Sequence, residues 1–311
     1  MAGIPESHPM KTQGLISRWS LMPAFLVALI VAPTTAKAQG SLTPPGAPAP
    51  TMKTLDQLSL QITNLSQAIS GQFKAVDSRF PISTFQTNLT VPGSYYLTTN
   101  LFSGTNSNDA INIRTNMGNM TIDLNGFSII STNPAGMASP VGIRMNGATN
   151  IVIRNGQIIG FDRGIRAEFC RGVLVESIGT HDSRRAGIES TGFPGDSTVS
   201  TITVRNCIVE GVDGTGEGAN VSCDGIVVLY SAGLVENCVV RDIVAVGTGS
   251  SACINAASAT NTFIINNFLS NAGVGLKMSG GGTRVYYRDN LTAGCVTNFS
   301  GTGGVDRGGN F

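Results

Sequence analysis

Arg144, Arg166 and Glu189 are the ionisable residues whose spacing most favours chemistry. Each stands two positions after the glycine of a Gly-Ile pair, and they are 22 and 23 residues apart. A carboxylate can move a proton, and neighbouring guanidinium groups can neutralise the anion that results. The trio acts together only if the chain stacks these positions. Aligning Gly142-Ile143, Gly164-Ile165, Gly187-Ile188, Gly225-Ile226, Cys253-Ile254 and Gly275-Leu276 extends the column to Val227, Asn255 and Lys277. The plainer expectation is a solvated face of cross-strand charge pairs, each contributing about 0.2–1 kcal/mol.

His181-Asp182, followed by Arg184-Arg185, lies on the approach to the Glu189 strand. His181 is a candidate acid or base, or simply an exposed loop histidine. Asn255, Lys277 and Asp224 are the candidate binding residues. Asp224 falls at one corner with Asp162, Arg163, Asp213 and Glu217, where acidic loops can hold calcium through several oxygens. The chain lacks a repeated Gly-Gly-x-Gly-x-Asp array. No cofactor is therefore expected, and calcium is the single candidate.

A basic stretch (Lys11, Arg18), an apolar run from Leu21 to Ala32 and the triplet Ala36-Lys37-Ala38 have the order of a secretory signal, with cleavage expected after Ala38. The apolar run is too short to span a bilayer. Without residues 1–38 the chain holds 17 basic and 18 acidic residues, so it lacks the footprint of a nucleic-acid or anionic-membrane binder. It also holds no tryptophan and a single histidine, His181. Multi-histidine zinc sites within one chain are thereby excluded. Sugar stacking would fall to Tyr and Phe.

To stack the column, the chain must be a solenoid, and a recurrent phrase supports this. It reads Ile151-Val-Ile153-Arg-Asn155, Ile202-Thr-Val204-Arg-Asn206, Gly233-Leu-Val235-Glu-Asn237 and Phe263-Ile-Ile265-Asn-Asn267, with a weaker copy at Val173-Leu-Val175-Glu-Ser177. Period-two apolar alternation repeated every 22 to 31 residues predicts strands stacked rung on rung. Two strands fill each repeat, with room for a short third. An extra residue in Met120–Gly126 predicts a bulge. Insertions at 131–140, 211–222 and 245–251 fall at one corner, where loops on successive rungs would form a wall.

Residues 39–50 are a Pro-rich linker. Residues 51–80 predict an amphipathic helix: Thr54 and Gln57 form a capping box, and Leu55, Leu58, Ile62, Leu65, Ile69 and Val76 fall on heptad a and d positions. The stripe suits either a cap over the first rung or a parallel homotrimeric coil. Residues 82–311 form the solenoid. Cys207 and Cys238 lie in adjacent repeats, as do Cys223 and Cys253, and the rung spacing permits disulfides at both. Reduced stacked thiols are the alternative.

Pro92-Gly93-Ser94-Tyr95-Tyr96-Leu97, Ile122-Asp123-Leu124-Asn125-Gly126-Phe127 and Ile153-Arg154-Asn155-Gly156 resemble secreted bacterial right-handed parallel β-helix proteins of the pectate-lyase-like superfamily. The resemblance implies an all-β, single-stranded, right-handed parallel β-helix. It also implies that Asn155, Asn206, Asn237 and Asn267 form that fold's internal asparagine ladder. Enzymes of the superfamily act on polyuronides by elimination, hydrolysis or epimerisation. Its hydrolases carry Asn-Thr-Asp, Asp-Asp and Gly-His-Gly motifs; Cys223-Asp224-Gly225 and Thr180-His181-Asp182 are poor substitutes, and no Asp-Asp pair occurs. The expected function is a non-catalytic envelope or extracellular scaffold, extracellular or periplasmic, that binds surface glycan or protein. The rival is a lyase or epimerase of acidic polysaccharide that uses Arg144, Arg166 and Glu189.

Overall fold

The computed structural model describes residues 53–74, 78–103, 108–132, 140–194, 200–279 and 284–311. The expected leader 1–38 and linker 39–50, and most of the 131–140 insertion, lie outside the described residues. Helix α1 spans Leu55–Lys74. The expected capping box forms: the Thr54 amide donates to Gln57 Oε1 at 3.1 Å and the Gln57 amide to Thr54 Oγ1 at 3.2 Å. Along its apolar stripe Leu55, Leu58, Ile62 and Leu65 are all exposed. Of the expected 51–80 segment, residues 51–52 and 75–77 lie outside the described residues, and Phe80 opens the strand Phe80–Ile82, its ring 5.1 Å from that of Tyr95. No described helix is long and apolar enough to cross a membrane.

From Phe80 onward the chain is the parallel β-helix. All paired described strands are parallel. A first face stacks strands from Phe80–Ile82 to Gly304–Asp306, and a second face nine strands from Thr87–Leu89 to Thr297–Ser300. A third, shorter face includes Ile208–Asp213, Val239–Val244 and Phe268–Ser270, so the optional third strand is real. Alternation sends Ile143, Ile165, Ile188, Ile226, Ile254 and Leu276 into the interior, each fully buried. Burying one such side chain stabilises by roughly 1.5–3 kcal/mol.

The Gly-Ile pairs have a steric cause. A Cβ on Gly164 would come within 2.5 Å of the Gly187 carbonyl oxygen, and one on Gly225 within 2.5 Å of that of Cys253. At these two rungs a side chain would meet the next rung's backbone, although Cys253 and Ala110 occupy the same column elsewhere.

Two expectations of register need correction. In the Phe263 repeat the buried residue is Ile264, stacked on Val235, while Phe263 faces outward. Three consecutive apolar residues hide the phase, and a slip of one exchanges the faces. The asparagine ladder is therefore two columns. Asn155, Asn206 and Asn237 are exposed and, with Ser177, Asn266 and Asp289, hold left-handed corners at φ 53–59°. Asn267 is in the interior column one residue further on, below Cys207 and Cys238. There its Nδ2 donates to Asn290 Oδ1 at 2.9 Å, and Asn290 Nδ2 donates to Asn310 Oδ1 at 3.0 Å.

The bulge before Asn155 is larger than expected. Asp123 pairs with Arg154 and Ser128 with Gln157, so one strand takes five steps where its neighbour takes three. Asn125 and Gly126 absorb the excess at positive φ.

Candidate functional site

The second face places Asn112, Arg144, Arg166, Glu189, Val227, Asn255 and Lys277 in one outward column, each residue register-paired with the next. Arg144, Arg166 and Glu189 thus occupy three consecutive rungs. Their neighbours turn the trio into a chain of ion pairs. Arg144 Nε lies 2.6 Å from Asp109 and its Nη1 3.6 Å from Glu168. Arg166 lies 3.0 Å from Glu168 and 3.6 Å from Glu189. Glu189 is also bound by Arg163, which pairs with Asp162, and Arg185 closes on Asp162 at 3.4 Å. Four guanidinium groups alternate with four carboxylates, so the ladder is neutral. Each cation is committed to at least one anion.

Asp162, whose side chain is wholly buried, anchors the end of this chain. Burial pushes its carboxyl up from the usual carboxylate range, against the pull of Arg163, Arg185 and Arg184. Arg184 itself pairs with Glu217 at 2.6 Å, both buried.

Beside the ladder opens a cleft of about 310 Å³, lined by Arg163, Arg185, Glu189, Asp224, Asn255 and the loop residue Asn220, among others. The 211–222 and 245–251 insertions do form a wall here. Val221 and Val246 exchange backbone hydrogen bonds at 3.1 and 3.0 Å, and the amides of Thr248 and Ser250 donate to Asn220 Oδ1 and Ser222 Oγ. The three candidate binding residues converge. Asn255 Nδ2 donates to Asp224 Oδ2 at 2.9 Å, and Lys277 Nζ lies close enough to Asp224 to act on its charge while donating to Ser250 Oγ at 3.0 Å. Asp224 Oδ1 is buried from solvent, and the Ala252 amide also stabilises the charged carboxylate. Burial, chiefly, raises the Asp224 carboxyl to about 6; Asn255 and Lys277 oppose the rise and Glu189 adds to it.

His181 is elsewhere. It ends the strand Arg171–His181 rather than lying in a loop, stacks between Ile159 and Glu210 on the third face, and approaches Glu210 Oε2 at 3.8 Å. The carboxylates considered for calcium have separate protein partners: Asp162 the arginines, Glu217 Arg184, Asp224 Asn255 and Asp213 the Thr215 amide. Among the described residues no three His, Cys, Asp or Glu side chains converge to hold a metal.

All six cysteines are free thiols. Cys207 and Cys238 stack as expected, the Val239 amide donating to the Cys207 carbonyl at 3.0 Å. Cys223 and Cys253 do not stack: Cys223 pairs with Ser251, and Cys253 lies over Gly225. Partners on these two rungs are 28 residues apart, whereas the two cysteines are 30 apart, so they miss register by two. Burial pushes the Cys170 and Cys223 thiols up to about 11.

Sequence reasoning missed the partners that neutralise the column, Asp109 and Glu168 above all. Glu168 carried a usable signal, since it follows Arg166 by two residues and must share its face. The chain matches no family model, no curated protein and no solved structure.

Proposed function

We propose that this protein is a secreted, extracellular or periplasmic β-helix, related to the pectate-lyase-like superfamily, that binds glycan on its second face without turning it over. The observation that carries this reading is the convergence of Asn220, Ser222, Asp224 and Asn255 on one cleft. Sugar hydroxyls both donate and accept, and grouped amide, hydroxyl and carboxylate side chains answer both halves of their hydrogen bonding. The neutral ladder beside it favours uncharged saccharides over polyanions. A protein surface rich in hydroxyl or amide groups is the other partner this cleft suits. The exposed stripe of α1 fits self-association as a homotrimer, which light scattering before and after deletion of residues 51–80 would reveal.

Titration calorimetry of the purified chain against a panel of neutral and acidic oligosaccharides tests the reading. Binding weakened at least tenfold by Asp224→Asn supports it, and absence of binding across the panel refutes it.

The second reading is elimination or epimerisation of an acidic polysaccharide. It is favoured by one feature, a carboxyl at about 6 beside Lys277, poised to exchange a proton near neutrality. It is opposed by the commitment of Arg144 and Arg166 to carboxylates. Absorbance of unsaturated sugar ends would expose elimination, and product analysis would expose epimerisation.

A further inference from the structure

We infer that the second face carries a further saccharide subsite, an amide-lined cleft at its N-terminal rungs built on Asn88, Asn112 and Asp109, which holds another stretch of the same neutral glycan. The inference rests on the glycan-binding reading and deepens it. The ligand becomes a polymer laid along the solenoid axis, and the subsite uses none of the residues of the Asp224 cleft.

Gln86, Asn88, Asn108, Asp109 and Asn112 line a cleft of about 370 Å³. Asn88 and Asn112 are register partners on the strands Thr87–Leu89 and Ile111–Ile113, and Asn112 is in turn the partner of Arg144. The two amides therefore extend the column of Arg144, Arg166 and Glu189 toward the N-terminus. Ile111 and Ile113 are buried, so alternation turns Asn112 outward between them.

Stacking makes this cleft the counterpart of the one at Asp224. Asp109 lies two residues before Ile111, and Val141 two before its partner Ile143. Val141 pairs with Arg163, Arg163 with Ala186 and Ala186 with Asp224. Asp109 and Asp224 thus share one column, four rung spacings of about 4.8 Å apart, roughly 19 Å. Each accepts a hydrogen bond from the outward residue of the following rung: Asp109 Oδ2 from Arg144 Nε at 2.6 Å, and Asp224 Oδ2 from Asn255 Nδ2 at 2.9 Å. Asp109 Oδ1 also accepts from the Val141 amide at 2.8 Å, which fixes the carboxylate before a ligand arrives.

The lining selects the ligand. Four amide side chains each offer a donor and an acceptor, which is what the hydroxyls of a sugar require. Among the described residues no Lys or Arg lines the cleft, and the nearby Arg144 is held by Asp109 and Glu168. A polyanion would meet Asp109 without a cation to receive it. Gln86 stands at φ 64°, a left-handed backbone uncommon outside Gly, Asn and Asp, and such conformations gather at ligand sites. Between the two clefts the ion-pair ladder is neutral, so an uncharged chain crosses it without an electrostatic barrier.

Calorimetry on the full chain with cellohexaose, maltohexaose and hexagalacturonate tests the subsite. A neutral hexasaccharide should bind one to one, and Asn88→Ala combined with Asn112→Ala should weaken it about tenfold or more. Asn112→Asp, which keeps the shape and loses the amide donor, should weaken it as well, and circular dichroism confirms that the variants fold. The matching disaccharide, too short to reach both clefts, should bind about tenfold more weakly than the hexasaccharide; equal affinity for the two lengths overturns the bridging polymer. Loss in the amide variants while Asp224→Asn still binds supports this subsite and refutes the Asp224 cleft. Loss in Asp224→Asn with unaltered amide variants overturns this subsite alone. Binding of hexagalacturonate only overturns the neutral ligand, and no binding of any saccharide overturns both clefts.

Discussion

The outward column of the second face and that of the first face at its C-terminal rungs are built on the same rung spacing yet end in opposite chemistry. On the second face, Arg144, Arg166 and Glu189 are interleaved with Asp109, Glu168, Arg163 and Asp162 until every guanidinium has a carboxylate. On the first face a similar ladder, Asp123 with Arg154 at 3.1 Å and Glu176 with Arg205 at 2.7 Å, continues to Glu236 and then stops. The next rung offers Ile265, and the neighbouring column changes to Phe263 and Tyr286. Stacking converts any residue type into a stripe, so a paired stripe rigidifies a wall and an unpaired apolar stripe leaves a surface to be covered. The charged wall and the apolar stripe therefore call for different perturbations.

The largest effect is expected from Gly164→Ala. Its Cβ would collide with the Gly187 carbonyl at 2.5 Å and push apart the rungs that align Arg166 with Glu189. Overpacking of this kind costs about 1–3 kcal/mol. Denaturant melts should place the loss at the upper end, and unaltered stability would mean that close approach at the Gly-Ile corner is dispensable.

Arg166→Ala breaks the ladder at its centre and leaves Glu168 and Glu189 facing each other. The ladder is partly solvated, so a loss of about 1–2 kcal/mol is expected, less in high salt. A loss independent of salt would show that Arg166 acts by packing and not by charge.

Asp224 contributes through pH. Its folded-state carboxyl, raised to about 6, holds its proton more tightly than the unfolded chain does. Stability from this group is present below the unfolded value and is lost as pH rises through about 6. Relative to Asp224→Asn, the wild type should lose on the order of 1–2 kcal/mol between pH 4 and pH 7. Parallel pH profiles of the two proteins would contradict the assigned burial.

Phe263→Leu should be the mildest, within about 0.5 kcal/mol of wild type in stability, because the ring is nearly half exposed. A loss above 2 kcal/mol would make the Phe263–Tyr286 stack part of the core and not an exposed stripe.

The second-face column was legible in the sequence because a glycine recurs beside it at 142, 164, 187, 225 and 275, which marks the phase of those strands. The phase of Phe263-Ile-Ile265 was not legible, since alternation carries no information through a run of apolar residues. Asn267 was accordingly assigned to the corner when it belongs to the buried amide ladder with Asn290. The partners of the arginines were only half legible. Glu168 shares a strand with Arg166, but Arg163 reaches Glu189 across the glycine corner while also holding Asp162, where simple alternation fails. The pairing of Phe263 with Tyr286 depended on rung lengths that insertions make irregular.

Binding without turnover at the Asp224 cleft is the central claim, and saturation-transfer NMR of an oligosaccharide mixed with the full chain tests it most directly. The expected result is transfer to sugar ring protons that falls in Asp224→Asn, with the saccharide spectrum unaltered after prolonged incubation. New resonances from unsaturated or inverted sugar rings, or equal transfer in Asp224→Asn, would contradict it.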